Sequence, residues 1–411
     1  HGRTIAAAGR TSATSVWTVV DSAARTQLSG FDNERRPSSV AFNRDGILAG
    51  GTWDGGIWFW QPGRCPDIDA IRPEPSTTLR RTMAGRENQG RRGPERGNNR
   101  EREPGRPAVV CFDADGRLIA VDSLGLRIWP ASTTWNQIPP AIEVPYPIVP
   151  PGQGPRWFGM WMSPPTRTPD GRIMAVARSS AVYLWHSETP ERLIPIVAPG
   201  QPAAQAAASA PGGTRRTNPG GPDNSTLRFR TMQIAADGRR LYLIDQIGQP
   251  HVWELEMKAE AALAHARELY WPLPVAEGGF STIAVRPDGT ILAVADRNGT
   301  VLLLETSHLS LVGRIKLAGD RAAGLLFALA FSPDGHNLAV GSQQEGTISI
   351  WSVDQPSRPQ LRLNLPGHRG LFNLVFDPQG RRLASQGSDS LVEVWDLELI
   401  QRELSHWGLA E

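Results

Sequence analysis

An aspartate–glycine pair recurs along the 411-residue chain and constrains its fold more than any other feature. Each pair lies at a nearly constant distance before the end of an apolar run, and six of the seven runs end in tryptophan. The pairs start at Asp45, Asp115, Asp170, Asp237, Asp288, Asp334 and, as a degenerate copy, Gln379, and the runs end at Trp60, Trp129, Trp185, Trp253, Leu304, Trp351 and Trp395. Self-similarity at such a period is typical of a repeat architecture.

Each repeat predicts a small antiparallel sheet. Asp-Gly tolerates positive φ at both turn positions, so we expect a two-residue hairpin between the first and second strands. Runs such as 291–295 and 347–350 are short and rich in apolar or β-branched residues, which favours buried strands, and a weaker fourth run such as 311–317 often follows. A sheet of four strands cannot bury both faces alone. Its repetition along the chain therefore predicts an all-β propeller, in which such sheets stack radially as blades.

The number of blades depends on the start of the chain, residues 1–30. Segments 4–8, 15–19 and 24–28 read as the last three strands of a truncated repeat, and seven complete repeats occupy residues 31–397. If the truncated repeat joins the ring, there are eight blades. If Ala24–Leu28 instead completes the last blade, there are seven, and Thr4–Val19 is left over. We expect eight, and we expect that an upstream segment supplied the missing first strand.

Two insertions and a tail depart from the repeat. Residues 80–107 contain nine arginines and four glutamates and almost no apolar residue, which predicts a disordered loop. A solvated insertion is favoured there over an arm that contacts RNA or an acidic partner. Residues 198–226 form a linker rich in alanine, proline and glycine. In the tail 398–411, apolar residues recur every three or four positions from Leu397, which predicts a short amphipathic helix.

The last repeat resembles WD40-repeat proteins through Gly367-His368, the run 374–378 ending in Asp-Pro, and Trp395-Asp396. The resemblance implies a structural hydrogen-bonded tetrad of His368, Ser385, Asp389 and Trp395. Most other repeats lack an aspartate at the position of Asp389, so we expect their blades to be held by apolar packing alone. The tail is also similar to that of bacterial, planctomycete-type WD40 proteins, some of which carry an N-terminal serine/threonine kinase.

No catalytic or metal-binding motif is present in the sequence, so we predict neither enzymatic activity nor a cofactor or metal. Asp113, Asp115 and Asp122 are close in sequence, but they flank a hairpin and the end of a strand. The histidines are scattered, and we expect those at 186, 251, 308 and 336 each to stand alone. The net charge of +2 provides no overall field for nucleic acid or a membrane surface. The longest near-continuous apolar run, 322–331, is about half a membrane span.

Recognition of a partner through the protein surface is the class of function that remains after these exclusions. The turns between second and third strands share one face of a propeller with the loops that enter each first strand. We predict a protein-interaction face there, formed by Trp53, Arg178, Gln246, Arg297, Gln344 and Arg369, because exposed tryptophan and arginine anchor interfaces. The leading hypothesis is a non-catalytic, monomeric scaffold that binds proteins or peptides. The alternatives are the regulatory propeller of a serine/threonine kinase and a secreted propeller enzyme of the lactonase or dehydrogenase type.

Overall fold

The computed structural model of the chain describes nineteen segments. They are residues 4–8, 14–18, 24–28, 31, 36–53, 55–61, 69–71, 109–122, 125–131, 141–146, 165–178, 181–199, 229–256, 264–275, 278–317, 326–342, 346–364, 370–387 and 391–406. Both predicted insertions fall almost wholly outside these segments.

Most of the described strands are arranged in blades of four antiparallel strands. The first three blades are β4 (Pro37–Phe42), β5 (Leu48–Thr52), β6 (Ile57–Trp60) and β7 (Asp69–Ile71); β8 (Val109–Phe112), β9 (Leu118–Val121), β10 (Gly125–Trp129) and β11 (Ile142–Pro145); and β12 (Thr166–Arg167), β13 (Ile173–Arg178), β14 (Ala181–His186) and β15 (Leu193–Val197).

The remaining blades repeat this order. They are β16 (Phe229–Ile234), β17 (Arg240–Asp245), β18 (Pro250–Glu256) and β19 (Ala264–Leu269); β20 (Phe280–Val285), β21 (Ile291–Asp296), β22 (Thr300–Glu305) and β23 (Ser310–Lys316); β24 (Leu326–Phe331), β25 (Asn337–Ser342), β26 (Thr347–Ser352) and β27 (Pro359–Asn364); and β28 (Leu371–Phe376), β29 (Arg382–Gly387), β30 (Val392–Asp396) and β3 (Arg25–Gln27). Helix α1 (Leu397–His406) follows β30.

The Asp-Gly pairs lie in turns of a different kind from the predicted two-residue hairpins. Each is a four-residue turn in which the glycine N–H donates to the first residue's carbonyl, as from Gly46 to Asn43 at 3.1 Å. The glycine has positive φ, +78° at Gly46, whereas no aspartate in the described residues does. The Asn43 side chain also accepts from the amides of Asp45 and Ile47, at 2.9 and 2.8 Å. The two-residue prediction is therefore wrong, because the first turn residue caps the turn and only the glycine needs the left-handed conformation.

Apolar clusters between neighbouring sheets hold the blades together. The described residues form seven such clusters, and each joins two adjacent blades, including the last to the first. The tryptophans that end the third strands lie in these cores. They are all buried: Trp60, Trp129, Trp185, Trp253, Trp351 and Trp395. Seven sheets with seven shared cores form a closed ring, the arrangement of a β-propeller.

The ring closes through a strand near the start of the chain. Strand β3 pairs antiparallel with β30, with Arg25 opposite Trp395 and Gln27 opposite Glu393. Strands β1 (Thr4–Ala8) and β2 (Thr14–Thr18) pair with each other in a separate two-stranded sheet. The expected eight blades are therefore wrong for the described residues, and the seven-bladed alternative is what the structure has. Pairing with β3 covers the edge of β30, which would otherwise be an open sheet edge.

A buried ion pair accompanies this closure. The Glu393 side chain is fully buried, and Arg25 donates to it through Nε at 2.8 Å and also through Nη2. The Arg25 guanidinium also lies 5.5 Å from the centre of the Trp395 ring. On the blade's inner side, Gln386 Nε2 donates to the Pro37 carbonyl at 3.0 Å and links the seventh blade to the first.

The third and fourth blades are joined more closely than the others. Their outermost strands, β15 and β19, pair in parallel, with Ile196 opposite Ala264 and Val197 opposite His265. The two blades thereby form one eight-stranded sheet. The repeat pattern gave no sign of this pairing, because it joins strands of two different repeats that are far apart in the chain.

Helix α1 lies where the tail pattern predicts a helix. The Asp396 carboxylate accepts from the Leu399 amide at 2.9 Å, as an N-cap does, and Leu397 and Ile400 are buried against the core between the sixth and seventh blades. No helix among the described residues has the length and apolar character needed to cross a membrane.

The closure predicts a strong effect of removing Arg25. Arg25→Met should destabilise the fold by about 2–4 kcal/mol, because it leaves the buried Glu393 carboxylate without its guanidinium partner. Urea unfolding measures this loss. Arg25→Met combined with Glu393→Gln should recover part of it, since an amide is less costly to bury than a charge. A double variant as unstable as the single one would show that the lost ring contact, and not the charge, is responsible.

Cys111 should resist thiol reagents in the folded protein. Burial in the apolar core raises the pKa of its thiol to about 12, and the opposing effect of the Arg167 charge is smaller. In a Cys65→Ser variant, we expect Ellman's reagent at pH 8 to modify Cys111 only as fast as the fold opens, and at once in 6 M guanidinium. Rapid modification under native conditions would contradict this burial.

Candidate interaction face

Turns between second and third strands meet the chain segments that enter the first strands. The Trp53 amide donates to the Arg36 carbonyl at 2.8 Å, next to the start of β4. Between the fourth and fifth blades, the Phe280 amide donates to Gly248 O at 2.9 Å, and the Arg297 amide donates to Gly279 O at 3.3 Å. These contacts place both kinds of connection on one side of the ring, which is called the turn face below.

Three of the six residues predicted for this face have described side chains there. Trp53 and Arg297 are partly exposed, and Gln246 is exposed. Arg178 is described by its backbone, at the end of β13. Gln344 and Arg369 lie outside the described residues. Of the six, the structure brings Gln246 and Arg297 into contact, across the junction between the fourth and fifth blades.

Two arginines meet one carbonyl at that junction. Gln246 O accepts from Arg230 Nη2 at 3.2 Å and from Arg297 Nη2 at 3.4 Å. Burial lowers the pKa of Arg230, the nearby Arg297 charge lowers it further, and Asp245 acts in the opposite direction. Sequence reasoning missed Arg230, because β16 and the turn that carries Arg297 belong to different repeats and nothing in the repeat pattern marks the contact.

His251 does not stand alone, contrary to the expectation for the histidines. Its Nδ1 lies 2.7 Å from Glu268 Oε1, and its Nε2 lies 3.6 Å from Asp245 Oδ2. Asp245 Oδ1 in turn accepts from the Gln249 amide at 2.8 Å. The imidazole therefore connects the turn carboxylate to the outer strand β19. The expectation is also wrong for His336 and His308, which lie 3.6 Å from Asp354 and 3.9 Å from Glu305, although both of these pairs are exposed.

Buried carboxylates stabilise the turns of three blades, so the expectation of apolar packing alone is wrong for these blades. Asp245 and Asp296 end their second strands, Asp122 directly follows its own, and all three are buried. Asp296 Oδ1 accepts from the amides of Asn298 and Thr300, both at 2.8 Å. Asp122 pairs with the buried Arg127 at 3.5 Å. These aspartates come slightly before the position of the WD40 tetrad aspartate, which is why a search at that fixed offset missed them.

Two apolar side chains of the fourth blade are exposed on the turn face. Ile247, at the tip of the turn after β17, is 71% exposed, and Tyr270, directly after β19, is 86% exposed. Leu269 pairs with Val252 near the start of β18, so Tyr270 leaves the sheet at the turn face. Trp271 packs edge-on against Phe280, with ring centres 5.7 Å apart. Large exposed apolar residues beside arginines are typical of protein interfaces.

The expected tetrad of the last blade is described only in part. Ser385 and Trp395 are buried in β29 and β30, whereas His368 and Asp389 lie outside the described residues. Ser385 Oγ and Trp395 Nε1 make no hydrogen bond to any other residue of the described segments.

The three aspartates that are close in sequence serve as partners of arginines. Asp113 and Asp115 both pair with Arg117, at 2.6 and 3.1 Å, and Asp122 pairs with Arg127. Within the segments that the structure describes, no group of three or more histidine, cysteine, aspartate or glutamate side chains is arranged to hold a metal ion.

Comparison with known proteins identifies repeats in the last blades. The family profile described as WD domain, G-beta repeat matches residues 316–352 and 359–396. The second segment begins at β27, the outermost strand of the sixth blade, and continues through β28 to β30, so a sequence repeat is offset from a blade by one strand. The topology and these WD40 repeats confirm the predicted fold class, an all-β, WD40-type propeller.

Curated relatives share these repeats over part of their length. The chain is 32% identical over 117 residues to WD repeat-containing protein SL1-17 of Schistosoma mansoni and 36% identical over 112 residues to WD repeat-containing protein VIP3 of Arabidopsis thaliana. It is 37% identical over 89 residues to Guanine nucleotide-binding protein subunit beta-like protein 1 of Mus musculus. The matches cover 28%, 25% and 21% of this chain, and they span only 36%, 34% and 26% of the respective relatives.

Close backbone packing at the junction predicts that Gly248 cannot be replaced without cost. Its φ is +95°, and an added Cβ would lie 2.8 Å from Gly279 Cα and 3.0 Å from backbone atoms of Phe280. Gly248→Ala should destabilise the fold by about 1–3 kcal/mol in urea unfolding. Gly278→Ala is the matched control, because Gly278 also has positive φ but its Cβ would meet nothing nearer than 3.8 Å. Equal losses in the two variants would show that φ strain alone, and not blade contact, matters.

Proposed function

We propose that this chain is a non-catalytic scaffold that binds protein or peptide partners through its turn face, as a monomeric propeller. The observation that carries the proposal is the junction between the fourth and fifth blades. There, two partly buried arginines converge on the Gln246 carbonyl, next in sequence to the exposed Ile247, and Tyr270 is exposed on the same face of the fourth blade. These are the residue types that dominate binding energy at protein interfaces.

The ring supports binding by holding this surface rigid. The turn at Gly248 and the segment at Gly279 are hydrogen-bonded across the junction, and each blade is packed against its neighbours by a shared apolar core. A surface that is already ordered loses little conformational entropy when a partner binds. The names of the relatives in Schistosoma, Arabidopsis and mouse describe WD-repeat and G-protein subunit-like proteins, which agrees with a scaffold.

Both insertions begin and end at the turn face in this proposal. Residues 72–108 connect β7 to β8, and residues 200–228 connect β15 to β16, so each runs from an outermost strand to the innermost strand of the next blade. Connections of this type reach the same face as the turns.

The tetrad of the last blade is part of the proposal as a stabilising network. Ser385 Oγ and Trp395 Nε1 are buried donors that would bond, directly or in series, with His368 and Asp389. The support for this is their burial without a partner in the described segments, since buried polar groups are usually hydrogen-bonded. The kinase-associated and propeller-enzyme hypotheses gain no support from the matched relatives.

A random-peptide phage selection on the immobilised propeller tests the proposed function. Enriched peptides should bind Ile247→Ser and Tyr270→Ser at least about fivefold more weakly than the unmodified chain, because both changes remove exposed contact area. Biolayer interferometry with the synthesised peptides measures the affinities.

Val312→Ser is the matched control for this selection. Val312 is also apolar and 58% exposed, but it lies on the outermost strand β23, away from the turn face. Its substitution should leave the affinities unchanged. A selection that enriches no peptide, or peptides whose binding depends on Val312 rather than on Ile247 and Tyr270, would contradict the proposed face.

A further inference from the structure

Two arginine side chains come together at the junction, beside backbone that is held by hydrogen bonds. Arg230 comes from the innermost strand β16 of the fourth blade, and Arg297 comes from the turn after β21 in the fifth. Both donate to the same oxygen, Gln246 O, and the Asp245 carboxylate adds a negative charge that acts on Arg230. Each guanidinium has five N–H donors, so donors remain on Arg297 after its one bond to Gln246.

The acidic groups around the pair are already engaged. Asp245 Oδ1 accepts from the Gln249 amide, and Asp296 Oδ1 accepts from two amides of its own turn. Glu268 bonds the His251 ring at 2.7 Å. Among the residues that the structure describes, no carboxylate lies within ion-pair distance of Arg297. The Asp245 charge also acts on Arg230, so Arg297 is the arginine of the pair that has no carboxylate partner among the described residues.

Apolar side chains next to the pair favour a peptide over a small anion. Ile247 follows Gln246 directly, and Tyr270 is exposed on the same face of the same blade. A peptide can place a carboxylate on the arginines and an adjacent apolar side chain on this surface. An inorganic anion can do only the first.

Resting on the proposed function, we infer that the partner segment bound at this junction is an acidic peptide. An aspartate or glutamate of that segment accepts hydrogen bonds from Arg297, and a neighbouring apolar residue packs on Ile247 and Tyr270. Carboxylates accept paired hydrogen bonds from guanidinium groups, so the contact supplies orientation as well as attraction. The charge of the partner is thereby specified by Arg297, on the turn that follows β21.

Parallel selections test this inference. The same random-peptide library is sorted on the unmodified propeller, on Arg297→Gln and on Arg239→Gln. Arg239 is an exposed arginine in the hairpin turn at the opposite side of the ring, and Arg239→Gln is the matched control. Peptides with an acidic residue next to an apolar one should be enriched on the unmodified chain and on the control, but not on Arg297→Gln.

The leading peptide is then synthesised with its acidic residue kept, changed to glutamine, or changed to phosphoserine. Fluorescence anisotropy should show the glutamine form binding about tenfold or more weakly to the unmodified chain. On Arg297→Gln this difference should fall below about twofold. Arg297→Lys should give an intermediate ratio, because it keeps the charge and loses the planar fork.

The outcomes separate the two claims. Peptides that depend on Ile247 and Tyr270 but contain no acidic residue would overturn the inference and leave the proposed function intact. An acid requirement that persists in Arg297→Gln would do the same. Tighter binding of the phosphoserine form would overturn the carboxylate assignment in favour of a phosphopeptide. A selection that enriches no peptide at all would count against both claims.

Discussion

Apolar packing between neighbouring blades is the interaction on which the rest of this structure depends. No blade has a core of its own, because each sheet buries its two faces only against the sheets on either side. The described residues therefore form seven cores that are shared by pairs of blades, and the tryptophans that end the third strands lie in these cores. Since every core needs both of its blades, the ring must close for the first and last to be covered. The turn face is ordered as a result of this packing.

Ring closure and the turns are two places where polar groups supplement the apolar cores. At the closure, the fully buried Glu393 meets Arg25 from a strand near the opposite end of the chain. In the turns, buried aspartates accept backbone amides and hold the segments that carry Gln246 and Arg297. Because a buried carboxylate is tolerated only when it is hydrogen-bonded, these groups tie the positions of surface residues to interior geometry. The side chains of the candidate site are therefore carried by backbone whose position is fixed by buried hydrogen bonds.

The spacing of Asp-Gly and tryptophan was sufficient to predict the strands and the fold class, because both depend on patterns within one repeat. The blade number was not predictable in the same way. It depends on whether residues 24–28 pair with β30 or with the strands before them. The repeat pattern is the same in both cases, so it does not show which of the two strand pairings forms. Gln246 and Arg297 were predicted for the face from their turn positions. Arg230 and the contacts of His251 were not, because they arise where separate strands and turns come together in space.

The parallel pairing of β15 with β19 changes how the ring can deform. Seven separate blades would give a ring with seven joints, each able to open slightly by sliding one sheet over the next. Backbone hydrogen bonds join the third and fourth blades into one sheet, so these two blades cannot slide past each other. The other six junctions between blades have no such pairing in the described residues. One of the two junctions next to this joined pair is the one between the fourth and fifth blades, where Arg230 and Arg297 meet. At this junction the fifth blade packs against a sheet of eight strands. A ligand that contacted both arginines would therefore connect the fifth blade to the widest sheet of the ring.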